Sequence, residues 1–205
     1  YISEHRIPRD LQTKPMSIGS AFDAFVKSYL HNKIFGKNSK PEFELRSLFE
    51  KQVEKHNWDW AWEHGEYAFK FYQASGALAD LSLELDHAVG DPHFEIDIQG
   101  VVGTGLTKLC PKGVMLLGKP DVFFRNKDGH VVILDWKVNG WCGKGNTSPA
   151  QGYLRTRDST GAGKQHNRCT LIQYQGMTIN GEMYLEDANE DWAAQLATYG
   201  WLVGA

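Results

Sequence analysis

Three residues stand where their chemistry could combine: Asp121, Asp135 and Lys137. Two runs rich in β-forming residues, Val114 to Phe124 and Val131 to Val138, flank Asn126-Lys127-Asp128-Gly129-His130, a stretch of turn chemistry. The pattern predicts an antiparallel hairpin. Turning about Asp128, it sets Arg125 opposite Val131, Phe123 opposite Ile133 and Asp121 opposite Asp135. Directly opposed Cβ atoms lie ~4.5–5.5 Å apart, and like charges there destabilise a sheet. A hard divalent cation, Mg²⁺ or Mn²⁺, offsets that repulsion by taking carboxylate oxygens while keeping waters that a substrate can displace. Lys137 follows Asp135 by two residues, so the strand period of two puts its ammonium on the face of both acids. Such a triad could activate water and stabilise the charge that develops during phosphodiester hydrolysis. Pro120, which cannot donate to a ladder, predicts a bulge or an edge beside Asp121.

An Asp-x-Lys on a strand is by itself usually a solvated surface pair. The apolar run Val131-Val132-Ile133-Leu134 argues otherwise, because it predicts a strand buried on both faces up to Asp135, where an unpartnered charge would be costly.

The elements that must position these residues are helical first and extended later. Ile18, Phe22, Phe25, Val26, Tyr29 and Leu30 recur at the spacing of one helical face, with Ser17 as the expected N-cap. Ser39 and Pro41 open a second helical pattern through Leu45, Leu48, Phe49 and Val53, and a third runs from about Trp58 to Leu81. At Phe94 the period changes to two: Phe94, Ile96 and Ile98 alternate with Glu95, Asp97 and Gln99, the pattern of a strand with one polar face. From Asn139 to Thr170 the residues are mostly Gly, Ser, Thr and polar, which reads as a long loop or insertion. A strand-like stretch from Leu171 to Ile179 follows, and then a last helix around Trp192, Leu196 and Tyr199. The expected fold is α/β: one domain over residues 1–205, with a central mixed sheet carrying the hairpin and helices on its faces.

On these residues the chain resembles the PD-(D/E)XK nucleases: Pro120-Asp121, then Asp135-Trp136-Lys137, reproduces the family's motif across a hairpin-length gap. Gly118-Lys119-Pro120-Asp121 is similar to the G-x-x-D of the RecB-like branch, which includes phage and recombination exonucleases. Gln195-Leu196-Ala197-Thr198-Tyr199 is similar to that branch's Q-x-x-x-Y helix. Ile18-Gly19-Ser20-Ala21-Phe22-Asp23 resembles its G-x-x-x-H segment, with Asp23 where histidine is commoner. The resemblance implies a restriction-endonuclease-like core. Asp121 and Asp135 would hold Mg²⁺ or Mn²⁺, the Trp136 carbonyl and Asp23 would be further ligands, and Lys137 would serve the attacking water. Gln195 and Tyr199, one turn apart on a helix, would approach the scissile phosphate or the catalytic strand. An upstream acid often completes such sites; Glu95 is the candidate and Glu84 the alternative. Relatives with an iron–sulfur cluster hold it with four cysteines; this chain has three, so no cluster is expected.

The loop from Asn139 to Thr170 sets Lys144, Arg155, Arg157, Lys164 and Arg168 against one acid, Asp158, a local charge of +4 in a chain of net charge −3. It is the candidate phosphate-facing patch, and Trp141 and Tyr153 within it could stack on bases. Cys142, His166 and Cys169 lack the fourth ligand and the CxxC spacing of a zinc site. The odd cysteine count argues against a disulfide framework and fits a reducing, cytoplasmic setting. No apolar run approaches the ~20 residues of a membrane span, and no signal-peptide pattern opens the chain. The start at Tyr1 and the stop just after a helical pattern leave room for a further C-terminal element.

The functional expectation is therefore a metal-dependent deoxyribonuclease, exonucleolytic in preference to endonucleolytic, acting on DNA in recombination, repair or phage replication, with a recombinase or helicase as the expected kind of protein partner. Two alternatives share the motifs: a site-specific endonuclease on the same core, and a DNA-end-binding accessory protein that does not cleave. A glycosidase is disfavoured, since its paired acids face each other across a cleft and have no use for Lys137.

Overall fold

The first helix begins a turn earlier than its apolar spacing predicts. In the computed structural model, which describes residues 10–37, 39–102, 114–138 and 190–204, helix α1 spans Lys14–Phe35. Thr13 is its cap: the Thr13 hydroxyl accepts from the Met16 amide at 3.4 Å, and Pro15 stands in the first turn, where a missing N–H costs nothing. Ser17, the expected cap, instead lies inside the helix and donates to the Lys14 carbonyl at 2.7 Å. A 3₁₀ turn at Pro41–Phe43 leads into α2, Leu45–Gln52, whose cap is Glu44. The expected third helix is two: α3, Trp58–Ala74, and α4, Ala77–Asp86, separated at Gly76, where φ is +86°, a conformation that glycine adopts without steric cost.

The described residues form two compact units, one from 10 to 82 together with 137 and 138, the other from 83 to 136 together with 190 to 204. The first is helical. Ala21, Phe22, Phe25, Val26 and Leu30 of α1 are buried, and Phe25 packs its ring against Trp62 and Phe69 of α3 at centroid distances of 5.2 and 5.7 Å. Gly65 is a point of close approach between the two helices: a Cβ there would lie 2.5 Å from the Ala21 Cβ and 3.1 Å from the Phe22 amide nitrogen.

The second unit carries β1 (His93–Phe94), β2 (Ile98–Val102), β3 (Val114–Gly118), β4 (Val122–Arg125), β5 (Val131–Leu134) and α5 (Glu190–Val203). The strands form two small sheets, β1-β4-β5 and β2-β3, and among the described residues every pairing is antiparallel. Helices and sheets together give the expected α/β composition, but the described strands form two small antiparallel sheets instead of one central mixed sheet. The hairpin register is the one the turn chemistry predicts, with Arg125 opposite Val131, Phe123 opposite Ile133 and Val122 opposite Leu134. Asn126 closes the loop, its Oδ1 accepting from the amides of Asp128 and His130 at 3.1 and 2.9 Å, and Gly129 takes a φ of +84°.

Three expectations are corrected. The run from Val114 to Phe124 is two strands in different sheets, because Lys119-Pro120-Asp121 interrupts the ladder at the proline. The alternation from Phe94 to Ile98 is broken at Glu95, whose φ is +51°. Strand β5 ends at Leu134 instead of Val138; it is half-buried along its length, and among the described residues it lies at the edge of its sheet. The basic loop, with Lys144, Tyr153, Arg155, Arg157, Lys164 and Arg168, lies outside the described residues, as does the stretch from Leu171 to Ile179. Among the described residues, no helix is long and apolar enough to cross a membrane.

Two outcomes follow from the packing of the first unit. Gly65→Ala forces α1 and α3 apart against backbone atoms, so urea denaturation should show a loss of roughly 1–3 kcal/mol. His31 is buried, stacked on Phe43 at 4.1 Å, and burial, with Lys40 nearby, holds its pKa below the ordinary histidine value of 6.5. The unfolded chain therefore takes up the proton first: the contribution of His31 is whole above pH 6.5 and is lost as pH falls from there through the lower folded-state value. Denaturation curves from pH 8 to about 4 should show that loss, and His31→Phe, which retains the ring stack, should flatten it.

Candidate active site

The hairpin delivers its two acids to the end of its own ladder. The last paired residues are Val122 and Leu134, and one further step of the same register sets Asp121 against Asp135. The main chain does not continue the pairing there. Instead the Asp121 side chain takes over, its Oδ2 accepting the Trp136 amide N–H at 2.7 Å. A carboxylate that accepts a backbone N–H makes one of the stronger classes of hydrogen bond, and this one fixes Asp121 against the strand that carries Asp135. Both acids are half-buried, and the Oδ2 of Asp135 is shielded from solvent.

On the other side of β4, β1 pairs with Phe94 opposite Val122, and the Glu95 amide donates to the Asp121 carbonyl at 3.2 Å. Glu95, Asp121 and Asp135 thus form one row across three adjacent strands, a step past Phe94, Val122 and Leu134. Glu95 holds the left-handed φ of +51°, a conformation that costs a non-glycine residue about 1–3 kcal/mol and persists only where its surroundings impose it. Lys119, two residues before Asp121, forms an ion pair with Glu95 at 2.8 Å. Glu84, the alternative third acid, lies on α4.

Helix α5 is seated beside the strand that leads into Asp121. Its Gln195 Nε2 donates to the Tyr199 hydroxyl at 2.7 Å, so the two residues predicted to share a face also share a hydrogen bond. Tyr199 is buried. A Cβ on Gly118 would come within 2.8 Å of Tyr199 and Leu202, and one on Gly100, across the β2–β3 pair, within 2.6 Å of Leu202. These two glycines admit the helix. Sequence reasoning quoted Gly118 without giving it a task; its signal was a small residue inside an otherwise bulky strand.

The remaining candidates belong to the first unit. Asp23 pairs through Oδ2 with the Lys27 ammonium at 2.6 Å and accepts from Gln52 Nε2 at 2.9 Å, with the Lys27 side chain only 2% exposed. Gly19, one turn before Asp23, lies against Val138, which would be 3.8 Å from a Cβ at that glycine. Lys137, the preceding residue, is exposed.

Among the described residues, no group of three or more His, Cys, Asp or Glu side chains is placed to hold a metal ion together. The donor set instead matches a hard, water-rich ion such as Mg²⁺, which is commonly held by one or two carboxylates with waters and substrate phosphate filling the other positions. Asp121 and Asp135, with the Trp136 carbonyl beside them in sequence, could hold such an ion, and Glu95 closes the same row.

The seat of α5 gives a direct test. Gly118→Ala should displace Tyr199 and Leu202 and lower stability by roughly 1–3 kcal/mol in urea titrations, whereas Gly129→Ala, where nothing lies within 4 Å, should cost only the strain of its positive φ. No family model matches the chain, and neither a curated protein nor a solved structure is found similar to it.

Proposed function

We propose that the chain is a Mg²⁺- or Mn²⁺-dependent deoxyribonuclease of PD-(D/E)XK type, acting at DNA ends. The observation that carries this reading is the row of Glu95, Asp121 and Asp135, each one residue past the paired part of three neighbouring strands, with Asp121 bonded to the Trp136 amide between Asp135 and Lys137. Random surface acids are spread apart by repulsion; a row of them at a ladder's end suits a site that awaits a cation.

In this reading Asp121 and Asp135, with the Trp136 carbonyl, would hold the ion. When bound, it supplies Lewis-acid screening of the phosphate and lowers the pKa of a coordinated water. Lys137 follows Asp135 by two residues and orients the water through its ammonium. The water oxygen joins phosphorus, the O3′–P bond breaks, and the proton given up by water ends on the departing 3′ oxygen, leaving a 5′-phosphate and a 3′-hydroxyl. Gln195 and Tyr199 form a hydrogen-bonded pair on α5, which packs against β3 just before Asp121, and so steady that strand. The basic loop would track the DNA backbone.

Incubating linear and covalently closed DNA with EDTA, Mg²⁺ or Mn²⁺ tests the reading. Cleavage should require the metal, spare closed circles, and fall by about 10²-fold or more in Asp135→Ala and Lys137→Ala. Undiminished cleavage by both variants would overturn the assignment, and cutting of closed circles would turn it to an endonuclease. One observation favours a second reading, a DNA-end-binding protein that does not cleave. Asp23 stands where the resemblance places histidine, and its Oδ2 is held by Lys27 and Gln52. Metal-dependent DNA binding without product is the result that would select it.

A further inference from the structure

We infer that Lys119 is the resident counter-cation of the acidic row, screening Glu95 in the metal-free protein and yielding when a divalent ion binds; this rests on the metal-site reading above. Glu95, Asp121 and Asp135 each stand one residue past the paired part of three adjacent strands, and the ion pair from Lys119 Nζ to Glu95 Oε2 at 2.8 Å places a positive charge at the Glu95 end of that row. The two partners differ in burial. The Glu95 side chain is 14% exposed and cannot turn to solvent, whereas Lys119 is 45% exposed, on a four-carbon stem free to swing outward. Its anchor point is fixed all the same. Lys119 is followed by the buried Pro120 and preceded by Gly118 beneath α5, so its main chain is held where β3 passes into β4.

A divalent ion entering the row meets the same negative charge that Lys119 already partly neutralises. Lysine and metal therefore compete, and removing the lysine should have two effects of opposite sense: a metal-free fold that is less stable and a site that binds metal more tightly. A lysine with a purely structural task would give only the first effect. One that arranged the ligands for the metal would weaken binding.

The chain is titrated with Mn²⁺ by calorimetry as wild type, Lys119→Gln, Lys119→Arg and Glu95→Gln with Lys119→Gln, and each is melted in EDTA and in saturating Mn²⁺. Lys119→Gln should bind Mn²⁺ roughly three- to fivefold more tightly, the change expected for losing a partly exposed ion pair. It should also melt lower in EDTA and gain more from Mn²⁺ than the wild type does. Lys119→Arg should behave as wild type, and in the double variant the gain in affinity should vanish. Unchanged or weaker Mn²⁺ binding by Lys119→Gln, beside a wild type that binds, overturns this inference alone. A wild type that neither binds Mn²⁺ nor is stabilised by it overturns both the inference and the metal-site reading.

Discussion

The hydrogen bond from the Trp136 amide to the Asp121 carboxylate sets the order of everything around the candidate site. It forms where the main-chain ladder of β4 and β5 runs out, so a side chain completes what the backbone leaves open. That substitution has two effects. It satisfies an amide that burial would otherwise make expensive, and it locks the Asp121 rotamer toward the strand bearing Asp135.

Keeping that junction in register requires support from both sides. From the turn, Asn126 and Gly129 fix a five-residue loop that allows only one alignment of Val122 with Leu134, and a slip of one residue would carry both acids to the opposite face. From the helix, Tyr199 and Leu202 rest on Gly118, the last residue of β3. The chain then has two residues, Lys119 and Pro120, in which to leave one sheet and enter the other before Asp121. A rigid seat on one side and a rigid turn on the other leave little freedom to the residues between them.

How much of this the sequence discloses depends on the range of the interaction. The hairpin register was legible because it is set locally, by turn residues and a period of two, and the pairing of Gln195 with Tyr199 was legible because helical periodicity is equally local. The interruptions were not. Pro120 announced an irregularity, but whether the proline bends one strand or divides two depends on which partner each half finds, and that is a tertiary matter. Glu95 carried no warning of a positive φ, since an alternating pattern looks the same whether or not one residue departs from it. Apolar spacing pointed to Ser17 as the N-cap, but the turn that extends helix α1 back to Lys14 is exposed and is set by the Thr13 cap and by Pro15, which an apolar face does not report. The pair between Lys119 and Glu95 joins residues on opposite sides of a strand pair, a distance that no spacing rule encodes.

Two lysine–carboxylate pairs in the structure show why burial decides what an ion pair can do. Lys27 is 2% exposed and Lys119 is 45% exposed, while their partners Asp23 and Glu95 are comparably sheltered at 16% and 14%. Removing one member of a buried pair strands the other charge at a cost of roughly 3–5 kcal/mol, so Lys27 and Asp23 act as a fixed unit that braces α1 against α2 through Gln52. Lys119 faces no such barrier, because water waits at its ammonium and an exposed pair contributes only about 0.2–1 kcal/mol. The same two residue types therefore form a permanent brace in one unit and an exchangeable contact in the other.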